Sequence, residues 1–268
     1  MKYSTHRAGF VASGQIAPSQ KMKNIRPTVI RLLAPFGMVV GFLLIWSLLC
    51  HYSVCPPYQL PSPLDVGKSF QEEILSGRLV NNVIASVWRV LIGFSLAILL
   101  GIPIGLCLGN GLALRNALGP FLTFFRFLSP LSWIPFAIMW FHIEDKPAIF
   151  LIFMATFFSM ALSVTAAVAS IPSIYFQVAR DYHYKGLTLL TRIALPAILP
   201  QVITALRMSY GIAWIVIVAA EMVGCQNGLG NGIWEARNSL RLDTAICYMI
   251  SIGLLGTLQG RLLAQLTN

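Results

Sequence analysis

The segment ASVWRVLIGFSLAILLGIPIGLCL, residues 85–108, decides the class of fold to which this chain belongs. It contains a single charged side chain, that of Arg89. A helix of about 20 apolar residues is long enough to cross the roughly 30 Å hydrocarbon layer of a bilayer. The segment therefore predicts a membrane-spanning α-helix.

Five other segments have the same apolar character, and polar stretches or stretches rich in proline and glycine separate them. They are residues 32–50, 117–141, 148–168, 201–223 and 244–260, of which the last is the shortest. No segment alternates polar and apolar residues over about ten positions, as the strands of an outer-membrane barrel do. We predict an all-α membrane protein with about six transmembrane helices.

The composition supports this class and excludes others. Of the 268 residues, 57% are hydrophobic and 10% are charged, and the mean hydropathy is +0.75. Because a soluble domain carries about 25% charged residues, a cytosolic enzyme, a disordered chain and a disulfide-stapled secreted module are excluded. On a soluble chain the net charge of +10 would suggest a nucleic-acid partner. In a membrane protein the distribution of the charge is more informative, and we expect no nucleic-acid partner.

The charged residues predict the orientation in the membrane. With six spans, the side that holds the N-terminus carries 11 Lys and Arg residues and one acidic residue, whereas the opposite side carries five basic and seven acidic residues. Cytoplasmic loops carry an excess of Lys and Arg, so we expect both termini in the cytoplasm. The predicted parts are a basic tail (1–31), a first helix with an external segment (32–79), a transmembrane core (80–260) and a cytoplasmic C-terminus (261–268). Because no cleavage site precedes it, the first span is expected to be a retained helix.

Four charged residues lie inside predicted spans: Arg89, Arg126, Arg207 and Glu221. Each would cost at least about 2.5–3.5 kcal/mol at mid-bilayer if it faced lipid, so each is expected to face protein or an aqueous cavity. Arg89 and Glu221 both lie near the outer ends of their spans, where they could pair. Arg126 and Arg207 have no obvious acidic partner. They could line the path of an anion, or they could snorkel or bind the carbonyls of broken helices.

Small residues predict close packing of the second span. Gly101, Gly105 and Gly109 are spaced by four, which places them on one helix face where a neighbouring backbone can approach. Pro103 lies within this stripe, and Pro130 and Pro135 interrupt the third span. Membrane helices tolerate such prolines where other groups satisfy the freed carbonyls.

The longest predicted cytoplasmic connection, residues 169–200, contains a helical pattern of apolar residues on either side of Gly186. We predict two short amphipathic helices, which carry Arg180, Lys185 and Arg192. Such a unit could lie on lipid headgroups or dock into a groove on a cytosolic partner, and the composition does not choose between them.

Motifs for catalysis or nucleotide binding are missing from the sequence. GKS at 67–69 resembles the end of a phosphate-binding loop, but Ser62 stands where that loop needs its first glycine. The four histidines are scattered and suggest no metal site, and no HExxH motif or paired acids occur in any span. We therefore expect no catalytic residue, metal or cofactor in this chain, and any ATP hydrolysis must belong to another polypeptide. Cys50 and Cys55 could pair at the outer surface, although buried free thiols are the simpler reading.

The motifs along the chain resemble those of one family. QVARDYHYKG (177–186) and IALPAILP (193–200) resemble the cytoplasmic loop of permease subunits of bacterial ATP-binding-cassette (ABC) importers. Further motifs resemble the nitrate, sulfonate, taurine and bicarbonate branch: LPSP (60–63), SVWRVLIGF (86–94), GIPIG (101–105), PLSWIP (130–135), AWIVIVAAEM (213–222) and GLGNGIWEARNSLRLD (228–243). FHIEDK (141–146) departs from the F-G-I-G of that branch, and Gln177 and His183 depart from its loop pattern.

The resemblance implies a type I ABC importer permease fold in a bacterial inner membrane. It implies a non-catalytic subunit that acts with a second copy of itself, two cytosolic ATPases that bind ATP and Mg²⁺, and an external solute-binding protein. The solute would be a small anion. The segment around 178–190 would be the coupling helix that docks on an ATPase, and its expected coupling residues are Val178, Ala179, Arg180, Tyr182, His183, Lys185, Gly186 and Leu187.

The rival class is a self-sufficient channel or an ion-coupled carrier. A proton-coupled carrier would need acidic residues in its spans, and Glu221 is the only one in the predicted spans. An intramembrane hydrolase is a more distant alternative because the spans offer no catalytic pair.

Overall fold

The computed structural model describes residues 26–52, 56 and 59–266, without the side chains of 26–36, 180 and 266. Most of the predicted basic tail, residues 1–31, lies outside this part, and so does Cys55, so the Cys50–Cys55 pairing stays a prediction. The side chain of Arg180 is also outside it.

The described residues form helices joined by turns, and none of them lies in a β-strand. The α-helices are α1 (Arg26–His51), α2 (Pro63–Leu75), α3 (Arg78–Asn110), α4 (Leu112–Phe127), α5 (Ile134–Phe141), α6 (Asp145–Ala169), α7 (Ser173–Asp181), α8 (Gly186–Leu189), α9 (Leu195–Ala197), α10 (Leu199–Gly224), α11 (Leu229–Asn238) and α12 (Leu242–Leu266). A 3₁₀ turn (Pro130–Trp133) precedes α5, and a π-helical turn (Leu190–Ala194) joins α8 to α9. The chain divides into two units after Trp46, so that the first unit holds most of α1 and the second holds all the later helices.

Four helices of the described part are long and apolar enough to cross a bilayer: α3, α6, α10 and α12. The predicted interruption of the span 117–141 by prolines is present as a bend of 85° between α4 and the segment Pro130–Phe141, which count as a fifth span only together. Leu128 and Ser129 leave the helical conformation there, and Pro130 has no N–H with which to continue the helix. Within the first predicted span, residues Gly37–His51 form a shorter apolar helix.

Helix α6 lies at the centre of the second unit, where it packs against α3, α10, α4 and α5. The predicted glycine stripe is confirmed at the contact of α3 with α6. A Cβ atom added at Gly105 would lie 2.6 Å from Cβ of Val164 and 2.7 Å from the carbonyl oxygen of Ala161. Gly93 continues the stripe, since its Cβ would lie 2.8 Å from Cβ of Ile152. Pro103 stays inside α3, which remains continuous.

The helix ends form two opposite ends of the second unit. The outer end, which the sequence places outside the cell, brings together α2, α11, the starts of α3, α6 and α12, and the end of α10. The inner end brings the last turn of α3 against the end of α6 and against Phe176 of α7. Within the second unit, the segments predicted to lie on one side therefore meet at one end, and those predicted for the other side meet at the opposite end.

Candidate functional site

A cluster of charged and polar side chains surrounds Arg89 at the outer end. Its Nε donates to Asp145 Oδ1 at 2.8 Å, and Nη2 donates to the same oxygen at 2.5 Å and to Oδ1 of Asn227. Its Nη1 donates to Glu221 Oε1 at 2.7 Å and to the carbonyl of Asn227 at 2.8 Å. The five N–H donors of a guanidinium are thus all directed at protein acceptors.

Glu221 is the buried acidic partner in this cluster, and its side chain is 1% exposed, like that of Arg89. Ser86 lies 2.8 Å from both of its carboxylate oxygens, and the N–H of Gly230 donates to Oε2 at 2.9 Å. The pairing of Arg89 with Glu221 is confirmed. Burial of an ion pair is tolerated when further hydrogen bonds satisfy both partners, which is the case here.

Three separate sequence motifs meet in this cluster. Ser86 and Arg89 come from SVWRVLIGF, Glu221 comes from AWIVIVAAEM, and Gly230 comes from the GLGNG run. The segment that departs from the resembled branch, FHIEDK, contributes Asp145. Sequence reasoning missed Asp145 and Asn227 because both lie in external turns, where a charge or an amide normally needs no partner.

A second polar network lies next to the Arg89 cluster. The Tyr248 hydroxyl donates to Glu73 at 2.8 Å, Arg78 donates to the same carboxylate at 2.6 Å, and Asn82 donates to the Tyr248 hydroxyl at 3.1 Å. Asn82 also accepts the N–H of Gly228 at 2.9 Å and so connects the two networks. A sequence signal existed for Glu73, because it follows Val66 and Phe70 on the apolar face of α2.

The start of α12 is held to α2 by a third set of contacts. Ser69 donates to Asp243, and Arg241 donates to Glu72 at 2.9 Å and to Asp243 at 3.2 Å. The hydrogen bonds to these two carboxylates raise the pKa of Arg241 above its ordinary value. The GKS tripeptide lies inside helix α2, whereas a phosphate-binding loop precedes a helix.

The other two buried charges predicted from the sequence lie apart from this cluster. Arg126 is exposed in the last turn of α4, next to the bend, with its guanidinium 5.8 Å from the centre of the Phe127 ring. Arg207 is half-buried on α10 and donates to the carbonyl oxygen of Ala264 at 3.0 Å. The acceptor is a backbone carbonyl, as in the alternative of binding to broken helices, but it lies in the last turn of α12, where carbonyls have no partner within the helix.

The predicted amphipathic unit at 169–200 is present at the inner end. Helix α7 ends at Asp181, His183 adopts a left-handed conformation with φ of 59°, and α8 begins at Gly186, where φ is 54°. The second helix differs from the prediction because its later half is a π-helical turn, in which Leu195 donates to the carbonyl of Leu190, five residues back. Pro196 follows this turn and lacks the N–H that a regular helix would use.

The coupling residues predicted from the sequence lie on both faces of this unit. Ala179 is buried, while Val178, His183, Lys185 and Gly186 are exposed. Tyr182 and Leu187 are 72% and 76% exposed, although both are large and apolar in character. The inner end therefore presents apolar side chains that nothing in the chain's described part covers.

Cys225 lies behind the turn that carries Asp145. It is buried, and its Sγ donates to the carbonyl oxygen of Glu144 at 3.4 Å. Burial raises the pKa of this thiol to about 11, so the thiol is neutral at physiological pH. A cavity of about 420 Å³ lies beside it, lined by Arg89, Asp145, Asn227 and their neighbours.

Comparisons with known proteins agree with this architecture. A family model described as "Binding-protein-dependent transport system inner membrane component" matches residues 78–267. The bicarbonate transport system permease protein CmpB of Synechococcus elongatus is 33% identical over 98% of this chain and 95% of its own length. The nitrate import permease protein NrtB of Synechocystis sp. is 31% identical, over 90% of this chain and 89% of its own length. A probable ABC transporter permease protein of Brucella melitensis is 36% identical over 76% of this chain and 83% of its own.

A solved structure supports the fold. The inward-facing MetNI methionine ABC transporter contains a chain that matches with a TM-score of 0.60 at 17% identity, over 73% of this chain and 99% of that chain. The predicted type I importer permease fold is confirmed.

Proposed function

Because this chain belongs to the family of inner-membrane components of binding-protein-dependent transport systems, we propose that it is the permease subunit of an ATP-driven importer. It forms part of the translocation path for a small anion and couples transport to cytosolic ATPases. The function is not catalytic, and ATP hydrolysis belongs to a separate subunit.

The observation that carries the coupling role is the uncovered apolar surface at the inner end. Ile174, Tyr175 and Val178 of α7 are exposed, and Tyr182 and Leu187 extend the same surface past the turn. Phe176 and Ala179, on the opposite face of α7, face the core and fix the helix in place. A rigid helix with an exposed apolar face is the kind of element that docks into a groove on a partner.

The proposed assembly contains two copies of this chain, two cytosolic ATPases and an external solute-binding protein. ATP and Mg²⁺ bind to the ATPases, and this chain holds no cofactor of its own. The excess of basic residues on the side of α7 supports an orientation with both termini and the docking surface in the cytoplasm. The protein then spans the inner membrane of a bacterium several times.

The solute belongs to the class of nitrate, bicarbonate, sulfonate or taurine. The names of the bicarbonate and nitrate permeases that align over almost the whole chain favour a small inorganic oxyanion. Arg126 is the candidate for a contact with the anion, because it is exposed beside the bend between α4 and α5. Arg207 is the second candidate, although its bond to Ala264 gives it a structural role as well.

Purification of the complex tests the coupling role. In the variant Val178→Asp/Tyr182→Asp, two exposed apolar side chains become charged, so the chain should fold but lose the ATPase subunit. Leu64→Asp is the control, since Leu64 is at least as exposed as either residue but lies at the outer end on α2. We expect the ATPase to co-purify with the wild-type chain and with Leu64→Asp, but not with the double variant.

Uptake measurements separate this proposal from a channel or a secondary carrier. Proteoliposomes that contain the complex and the binding protein should accumulate labelled bicarbonate or nitrate only with ATP. Uptake that continues without ATP would reject the importer assignment, and an ATPase that binds the double variant normally would reject the docking role of α7.

A further inference from the structure

The two carboxylates that hold Arg89 differ sharply in their access to water. The side chains of Arg89 and Glu221 are each 1% exposed, whereas the side chain of Asp145 is 55% exposed. Asp145 nevertheless makes two hydrogen bonds to the guanidinium, at 2.8 Å and 2.5 Å. The cation is thus held by one buried partner and one partner that stands at the surface.

Asp145 connects a turn to the rest of the outer end. It is the first residue of α6 and ends the turn 142–144, in which His142 has a φ of 61°. The other two charged residues nearby, Glu144 and Lys146, pair with each other at 3.3 Å on the surface. Through Arg89, the carboxylate of Asp145 reaches α3 and both acceptors of Asn227, and so connects this turn to the loop 225–228.

Loss of the contact of Arg89 with Glu221 and loss of its contact with Asp145 have different consequences. Without Glu221, a fully buried arginine would lose its buried counter-ion, and that loss is strongly unfavourable. Without Asp145, Arg89 keeps its pair with Glu221, and the released carboxylate is hydrated at the surface. The cavity of about 420 Å³ between this turn and Gln226–Asn227 gives the carboxylate and water room to move. The Asp145 contact can therefore open while the rest of the cluster stays intact.

We infer that Asp145 is a positioning residue that holds the turn 142–146 against the loop 225–228, and that release of its contact with Arg89 is the local event by which the outer end opens. The inference rests on the proposed function only in assuming that the outer end opens during transport. We call the contact of Asp145 with Arg89 the latch. When the latch opens, the buried pair of Arg89 with Glu221 stays in place and Asp145 moves away.

Cys225 provides a native reporter of the latch. Its thiol is buried and contacts the carbonyl of Glu144, so it becomes accessible only when the turn moves away. We would replace the other four cysteines with alanine and label the full chain from outside with a membrane-impermeant maleimide, within the membrane complex. The compared variants are Asp145→Ala, Asp145→Asn and the matched control Glu144→Ala, which removes a neighbouring exposed carboxylate that does not contact Arg89.

We expect Asp145→Ala to be labelled about tenfold faster than the parent, because the variant loses two charge-assisted hydrogen bonds that are weakened by the exposure of Asp145 to water. The labelling rate of Asp145→Asn should lie between those of the parent and of Asp145→Ala, because the amide oxygen of Asn still accepts a hydrogen bond but carries no charge. Glu144→Ala should be labelled at the parent rate. Labelling of Asp145→Ala at the parent rate, or of Glu144→Ala as fast as Asp145→Ala, would overturn the inference.

Cys247 distinguishes local opening from loss of the fold. It is fully buried near the start of α12, a helix that packs against α2, α10 and α11. In a chain whose single cysteine is Cys247, Asp145→Ala should leave labelling slow. If Cys247 became as reactive as Cys225, the variant would have disrupted the packing of α12 instead of moving only the turn, and the latch would be rejected.

A nucleotide experiment separates the latch from the proposed function. If the importer assignment holds, binding protein with a non-hydrolysable ATP analogue should speed labelling of Cys225 in the parent, and should add little in Asp145→Ala. The opposite result is that the analogue leaves the labelling rate of Cys225 in the parent unchanged, while Asp145→Ala is still labelled faster than Glu144→Ala. In that case the latch stands and the importer assignment fails.

Discussion

Substitution of Gly105 by alanine should destabilise the protein through the seam between α3 and α6. The added Cβ would lie 2.6 Å from Cβ of Val164 and 2.7 Å from the carbonyl oxygen of Ala161. Carbon atoms in contact normally lie about 3.5–4.0 Å apart, so the Val164 contact is short by about 1 Å. Both obstacles belong to the backbone or to a Cβ, so a change of rotamer cannot relieve them. The two helices must separate instead.

The magnitude follows from two opposing effects. Overpacking a close-packed seam costs about 1–3 kcal/mol. Replacement of a helical glycine by alanine returns roughly 0.5–1 kcal/mol through backbone entropy. We therefore expect the free energy of unfolding of Gly105→Ala to fall by about 1–2 kcal/mol.

Two matched variants make the prediction specific to the seam. Gly253→Ala lies in the interior of α12, where a Cβ would meet nothing within 4 Å, so it should be neutral or slightly stabilising. Gly101→Ala should lie between the two, because its nearest neighbour is the flexible side chain of Met160 at 3.1 Å.

The assay is SDS-induced unfolding of the purified chain in mixed micelles, followed by circular dichroism. The expected order of unfolding free energies is Gly253→Ala, then Gly101→Ala, then Gly105→Ala. A Gly105→Ala chain that is as stable as Gly253→Ala would refute the close approach of α3 and α6.

Four other outcomes are expected. Because the pKa of the Cys225 thiol is raised to about 11, its alkylation rate should rise about tenfold per pH unit from pH 7 to 9, whereas that of free cysteine levels off above about pH 8.5. The raised pKa stabilises the folded state below the pKa of the unfolded thiol, and this contribution should be lost as the pH rises towards 11; thermal unfolding between pH 8 and 11 measures it. Glu221→Gln should lower the unfolding free energy by about 3 kcal/mol in SDS titrations, against less than about 0.5 kcal/mol for the exposed Glu235→Gln. Arg126→Gln should reduce anion uptake without a change in thermal stability, whereas Arg207→Gln should lower the melting temperature; unchanged uptake in both would remove them from the anion path.

The spans of the second unit were largely predictable because each is a long apolar run. Residues 85–108, 148–168 and 201–223 lie inside α3, α6 and α10, and the short segment 244–260 lies inside the longer α12. The prolines at 130 and 135 indicated an interruption of the segment 117–141, but the 85° bend there could not be predicted, because the hydropathy of the segment is continuous. Hydropathy indicates whether a segment lies in lipid or in water, but it does not indicate the direction in which the backbone runs.

The Arg89 cluster could be predicted only in part. A single charge in an apolar run needs a partner, and Glu221 was a reasonable choice because both lie near the outer ends of their spans. Asp145 and Asn227 could not be chosen, since many external polar residues were available and nothing in their local sequence distinguishes them. Their selection depends on which turns the packing of α3, α6 and α10 brings together.

The sequence by itself determined that this chain is a helical membrane protein, which side of it is basic, and where an amphipathic segment interrupts the spans. These properties depend on local composition, because the free energy of transferring a segment between water and lipid is a sum of contributions from its own residues. Only the tertiary structure decided that Arg89 is shared between a buried and an exposed carboxylate, and that the chain turns by 85° between α4 and the segment Pro130–Phe141. Those features depend on distances between residues as far apart as 56 and 132 positions in the chain, which the glycine-lined contact of α3 with α6 helps to set.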